Sequence, residues 1–206
     1  MLKIWGRTNS INVQKVMWAV GELAIPHQRI DAGMQFGLVE QPAFRAMNPN
    51  GRVPTIDDDG FVLWESNAIV RYLVRKYGAG RLSPATLESY ASADRWMEWS
   101  TTTMAPLMTP LFWGYIRTVP EKRNLNALEK TRLQMEEVMA ILDANLATRS
   151  FIAGDEFTLG DIPAGCFAHR WYALPMQRAT HRHIAEWYAR LSERRAFQTH
   201  VMLPLS

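Results

Sequence analysis

Two runs, Asn48-Pro49-Asn50-Gly51-Arg52-Val53-Pro54-Thr55-Ile56 and Leu63-Trp64-Glu65-Ser66-Asn67-Ala68-Ile69, decide how this chain folds. The first reads as a tight turn followed by a stiff Val53-Pro54 step into a strand. The second reads as a strand that gives way to a helix opening on an acid and a hydroxyl. Between them Asp58-Asp59-Gly60 is a turn signal, so Thr55-Ile56-Asp57 and Phe61-Val62-Leu63 are expected to pair as a hairpin. A Val-Pro step can hold an extended peptide through backbone hydrogen bonds, and a helix start can hold a carboxylate. Together they suggest a site for a small peptide with a charged end.

Working upstream, Leu2 to Trp5 is a short apolar strand. Val13, Val16, Met17, Val20 and Leu23 recur at the helical period. His27 to Ile30, after Pro26, reads as a second strand, and Gln41 to Met47 as a short helix or irregular turn. Ser66 to Tyr77 reads as a helix with Gly78 as its C-cap. The order β-α-β-α-β-β-α combines one βαβ unit with a hairpin, which implies a four-stranded mixed sheet of the thioredoxin type.

Downstream, Gly78-Ala79-Gly80-Arg81-Leu82-Ser83-Pro84 reads as a linker, after which strand signals disappear. Ala85 to about Thr103 is a long helix that Pro106 and Pro110 are expected to kink or end. A second long helix runs from Glu121 to Leu146, with Leu128, Leu133, Met135, Val138, Ile141, Leu142 and Leu146 on its apolar side. Thr158-Leu159-Gly160-Asp161 has the form of a helix-start box, with helices near 161–173 and 181–192 to follow. The expected division is an α/β domain over 1–80 and an all-helical domain over 86–206.

With 206 residues, 48% of them apolar, the chain can build a sizeable core. Its net charge of +3 comes from scattered basic residues, which argues against a nucleic-acid partner. No apolar run is long enough for a membrane span, and Met1-Leu2-Lys3-Ile4-Trp5 lacks a secretory pattern. The expectation is a cytoplasmic protein. One cysteine, Cys166, leaves no internal disulfide or cysteine-based metal cluster, and the histidines show no metal spacing.

The motifs Asn-Pro-x-Gly-x-Val-Pro at 48–54, Glu-Ser-x-Ala-Ile at 65–69 and Thr-x-x-Asp at 158–161, in this order and spacing, resemble those of the soluble glutathione transferases. The likeness spans essentially the whole chain. The stretch Trp5-Gly6-Arg7-Thr8-Asn9-Ser10-Ile11-Asn12-Val13 is similar to the bacterial serine-type, theta-like group that includes GstB. The resemblance implies glutathione as co-substrate, no metal, a homodimer, and Ser10 as the residue that stabilises the glutathione thiolate.

Read physically, Ser10 precedes the first helix, where a hydroxyl and the positive helix end both favour a charged sulfur. It can equally be a plain helix cap. Asn12 can aid the same sulfur through its amide or be the cap itself. The resemblance implies a cis Val53-Pro54 bond, with the Val53 backbone pairing the cysteinyl part of glutathione; an ordinary trans proline is the alternative. Glu65 and Ser66 would take the γ-glutamyl ammonium and carboxylate, unless they only cap a helix. Arg52 would pair the glycyl carboxylate, unless it is simply solvated. Many relatives place a polar residue before the short second helix where this chain has Val39, so Gln41 is the substitute candidate. Arg7, Thr103, Met104, Leu107, Met108, Leu111 and Phe112 are candidates for the electrophile site, although an apolar, Met-rich stretch can equally be core.

The leading expectation is a transferase joining glutathione sulfur to a hydrophobic or halogenated electrophile. A ligand-binding protein on the same fold is the alternative. A thiol-disulfide reductase or peroxidase is the weaker one, because Ser10 stands where a reductase needs cysteine.

Overall fold

In the computed structural model, which describes residues 1–206, strand β1 (Leu2–Trp5) turns Leu2 and Ile4 into the core and Lys3 to solvent. That period-two alternation makes it the spine of the first half. β2 (His27–Ile30) lies parallel on one side and β3 (Thr55–Asp58) antiparallel on the other. β4 (Phe61–Trp64) pairs with β3, giving the expected four-stranded mixed sheet, in the order β2-β1-β3-β4. Ile4 faces Ile56 across the sheet, and both are fully buried. A one-residue slip would turn both out of the core, so this pair pins the register.

Three helices belong to this half: α1 (Ile11–Leu23), α2 (Pro42–Met47) and α3 (Ser66–Tyr77). The second half holds α4 (Leu87–Trp99), α5 (Ala105–Phe112), α6 (Leu125–Leu146), α7 (Asp161–Ala173), α8 (Arg182–Ser192) and α9 (Arg195–His200). Every residue of α1 from Val13 to Val20 is buried, Gln14 and Lys15 included. A helix buried all round must be covered on all sides. α1 packs on α3, on α7 and on the short α9, which the sequence reading did not anticipate.

In the helical half one expectation is narrowed and another corrected. Pro106 and Pro110 do not end the helix. The backbone stays right-handed from Leu87 to Arg117, with wide turns at Ser100–Met104 and Trp113–Arg117. In the first, Ala105 N–H donates to the Ser100 carbonyl five residues back. Such π turns loosen the ladder where a proline ring intrudes and an N–H is missing. Leu133 and Ile141, expected on the buried side of α6, are each 52% exposed. The buried stripe is Met135, Val138, Met139, Leu142 and Leu146, and both residues lie off it.

The start of α7 is the best-tied polar point in the core. Asp161 is fully buried and accepts from the Ile152 and Thr158 backbone N–H groups and from Trp187 Nε1, each at 2.9 Å. Of the expected Thr158–Asp161 box the carboxylate half forms, while the Thr158 hydroxyl accepts from Gly160 N–H at 3.3 Å, and Asp161 also fastens the preceding loop and α8. His181, just before α8, sits 3.0 Å from the Glu136 carboxylate on α6. One apolar cluster of 41 buried residues runs from Leu2 on the sheet to Val201 after α9. No helix is long and apolar enough to cross a membrane.

Candidate active site

Ser10 is the N-cap of α1. Its backbone is extended (φ −86°, ψ 120°), and its carbonyl accepts from Gln14 N–H at 2.9 Å. Its hydroxyl makes no capping bond, so the oxygen is not spent on the helix. Asn12 lies two positions further on and is not the cap. Its Oδ1 accepts from Lys15 Nζ at 3.0 Å and from Ser66 Oγ at 3.4 Å. Ser66 is the first residue of α3, so Asn12 ties together the positive ends of two helices.

Two adjoining cavities meet at Asn12. The larger, about 260 Å³, is lined by Asn12, Lys15, Glu65, Ser66, Arg71, Glu98 and Thr101, among others. The smaller, about 170 Å³, is lined by Arg7, Ser10, Asn12, Phe112, Trp113, Arg117 and Arg170, among others. A roomier hollow lies elsewhere, between the end of α1 and the α8–α9 turn, and holds none of the expected site residues. Within it Arg194 donates to both Glu22 carboxylate oxygens, at 2.8 and 2.7 Å.

In the larger cavity Glu65 precedes α3 with a backbone φ of 72°, a left-handed conformation. For a residue with a Cβ this costs about 1–3 kcal/mol and is found mainly where a site requires it. Lys15 was not anticipated. It is 2% exposed and lies 5.0 Å from the Phe167 ring centre. Burial pushes its amine down to about 8. Its carbon stem lies among apolar neighbours, while its nitrogen reaches Asn12 at the cavity edge.

The smaller cavity is dominated by arginines. Arg170 on α7 is 8% exposed and stacks its guanidinium 4.0 Å from the Phe112 ring centre. Burial brings its pKa down to about 10, with Arg117 and Arg7 pushing the same way. Arg7, from the turn after β1, is held below its ordinary value by burial and then by Arg117. Arg170 escaped sequence reasoning as a site residue because only the fold brings α7 beside Ser10.

The 48–54 turn is shaped by Asn48, which is buried. Its Nδ2 donates to the Arg52 carbonyl at 2.9 Å and to Thr55 Oγ1 at 3.0 Å. Gly51 adopts φ 59°, and a Cβ there would strike the Arg45 guanidinium. The Val53-Pro54 peptide is cis. Val53 borders Arg7 across Gly33: a Cβ on that glycine would stand 3.5 Å from the valine and 3.1 Å from Arg7 Nη1. Arg52 is exposed and makes no ion pair. Gln41 is the exposed N-cap of α2 and lines neither cavity.

Of the electrophile-site candidates, Arg7 and Phe112 line the smaller cavity. Met104, Met108 and Leu111 do not. Each is fully buried in the core, because they fall on the inward stripe of the unbroken α4–α5 helix. Thr103 and Leu107 are half-buried and lie outside the cavity lining. Cys166 is fully buried, and burial pushes its thiol up to about 12, so it stays protonated and inert.

Comparison with known proteins gives this geometry a context. Residues 1–75 match the family model for the glutathione S-transferase N-terminal domain, and residues 126–190 match that for the C-terminal domain. The chain is 39% identical to glutathione S-transferase GstB of Escherichia coli K12 over 208 residues, covering 100% of both. It is 31% identical to glutathione S-transferase 3 of Zea mays, covering 99% of this chain and 95% of that one. The crystal structure of the theta class glutathione S-transferase from Xanthomonas axonopodis pv. citri, with glutathione bound, superimposes with a TM-score of 0.96. That chain is 43% identical, with 100% of this chain and 99% of the other covered.

Proposed function

The chain belongs to the glutathione S-transferase family and acts as a glutathione S-transferase, and from that premise we propose that Ser10 holds glutathione as its thiolate. The observation that carries this reading is the Ser10 hydroxyl, unused by the helix cap and lining the smaller cavity. A donated hydrogen bond and the positive end of α1 favour the charged sulfur over the thiol, so the thiol proton leaves to solvent at lower pH. The sulfur lone pair then forms a bond to the electrophilic carbon, and the leaving group departs with its electrons. The reaction needs no covalent enzyme intermediate.

The rest of the tripeptide follows the larger cavity. Ser66, at the start of α3, receives the γ-glutamyl carboxylate, and Glu65 receives the ammonium. Asn12 links this end to the sulfur, a role supported by its bond to Ser66. The Val53 backbone beside Pro54 pairs with the cysteinyl unit, as an added strand would. Arg52 meets the glycyl carboxylate, supported by its lack of an ion pair; Gln41 is the second candidate for that carboxylate and lacks comparable support. The electrophile, hydrophobic or halogenated, enters beside Arg7 and Phe112.

Ser10 and the likeness to a theta class structure support placement in the serine-type, theta-like bacterial group. The division into domains 1–80 and 86–206 follows the loss of strands after α3. A homodimer, with the first domain of one copy against the second of the other, completes the reading.

Ser10→Ala is expected to lower kcat/KM at neutral pH by roughly ten- to a hundred-fold, the worth of one charge-assisted hydrogen bond. The acidic limb of its pH profile should move upward, because the thiol then ionises later. An unchanged rate and profile in the folded variant would remove Ser10 from the chemistry.

A further inference from the structure

The electrophile side of the cleft carries three guanidinium groups and no acid. Arg7, Arg117 and Arg170 come from the turn after β1, the wide turn after α5, and α7, so only the fold assembles them. None of the three pairs with an Asp or Glu side chain. The Nε of each is buried without a hydrogen-bond partner. Arg170, more than nine-tenths buried, reaches only the Asn9 carbonyl, at 3.5 Å. Arg117 donates at 2.6 Å to a main-chain oxygen of the terminal residue, Ser206, and its Nη1 lies 3.3 Å from Met34 Sδ. Arg170 is a buried charge with no side-chain counter-charge, flanked by two half-buried charges of the same sign, and such a cluster focuses potential on any small anion that enters.

We infer that this cavity is a subsite for an anionic head group, so that the enzyme prefers small electrophiles carrying a carboxylate or equivalent anion near the reacting carbon. The inference rests on the Ser10 reading above, because it takes the attacking sulfur to lie at Ser10. A guanidinium fork matches a carboxylate through two parallel hydrogen bonds. Phe112 and Trp113 supply an apolar wall for the carbon frame. In the reaction the sulfur–carbon bond forms, the carbon–halogen bond breaks, and halide leaves with the bonding pair. The carboxylate is held throughout and does not react.

The same chemistry has a second source, the glycyl carboxylate of glutathione itself. The cavity favours the electrophile, because it is lined by Ser10, Thr109 and Phe112 and by no residue of the 48–54 turn. The test uses a chloronitrobenzoate and the matching chloronitrobenzamide, which differ mainly in charge. Their kcat/KM ratio, divided by the ratio of the uncatalysed reactions with glutathione, reads the preference for the anion. The native protein should prefer the benzoate by roughly ten-fold or more, the scale of one charge-assisted contact. The preference should fall several-fold in Arg117→Met, and in Arg170→Met if that buried variant folds.

A native preference near unity overturns the inference, as does an unchanged ratio in folded Arg117→Met. An Arg117→Met variant that only raises KM for glutathione would assign the arginines to the glycyl carboxylate and also overturn it. Failure to conjugate either compound would bring down the Ser10 reading together with the inference. Conjugation of both without preference brings down the inference alone.

Discussion

Asn12, where the two cavities meet, and its neighbour Lys15 in the larger one each make a prediction at the scale of one side chain. Removing the amide in Asn12→Ala strands the buried Lys15 nitrogen, whose acceptor is Asn12 Oδ1. The expected loss is about 1–3 kcal/mol by chemical denaturation, the cost of an orphaned buried donor. Lys15 itself behaves differently with pH. Its amine is depressed in the fold, to about 8. Between about pH 8 and about pH 10.5 the unfolded chain holds a proton that the folded one has released, so this group's contribution to stability rises with pH. Lys15→Met should therefore be more stable than the native protein near neutrality, with that advantage shrinking through the alkaline window. An advantage that does not change with pH would mean Lys15 is not buried as described. Ser10, Glu65 and Ser66 were legible in the sequence because turn and cap chemistry is local. Lys15 was not, since a lysine in a helical pattern reads as a solvated face until other helices cover it.

At the scale of elements, the sheet and its register follow from alternation and turn residues, and both were readable. The helical half was readable only in part. A proline predicts a missing hydrogen bond, but whether the helix stops or widens into a π turn depends on what packs against it. The same dependence explains Leu133 and Ile141, which are apolar yet off the stripe that faces the core. α7 offers the sharpest test of element-level packing. Asp161→Ala would leave three buried donors, from Ile152, Thr158 and Trp187, without their acceptor. At about 1–3 kcal/mol for each orphaned group, the expected loss of at least about 3 kcal/mol is a large share of a domain's stability. Thermal unfolding would read it. A loss below about 1 kcal/mol would show that water replaces the carboxylate and that the junction is less dry than described.

For the whole molecule, the two halves share one core, so the cleft between them is rigidly framed. Trp18 on α1 packs on Phe157 and Phe197 from the helical half. A Cβ on Gly165 of α7 would come within 2.8 Å of the Trp18 ring and 2.9 Å of Leu191. Gly165→Val should therefore push α1 and α7 apart. The native chain is expected to unfold in a single transition, and the variant at lower temperature, with the cleft loosened and KM for glutathione raised. Two separate native transitions would contradict a shared core. This junction was invisible in the sequence, because Trp18 and Gly165 lie in different domains of the expected division.

The central claim is that this scaffold ionises the glutathione thiol at Ser10. The most direct measurement is ultraviolet difference absorption of the thiolate as glutathione is titrated into the protein at neutral pH, with Ser10→Ala beside it. The native protein is expected to give a saturable thiolate signal that is largely lost in the variant. Saturable binding without thiolate, or an equal signal in Ser10→Ala, would contradict it.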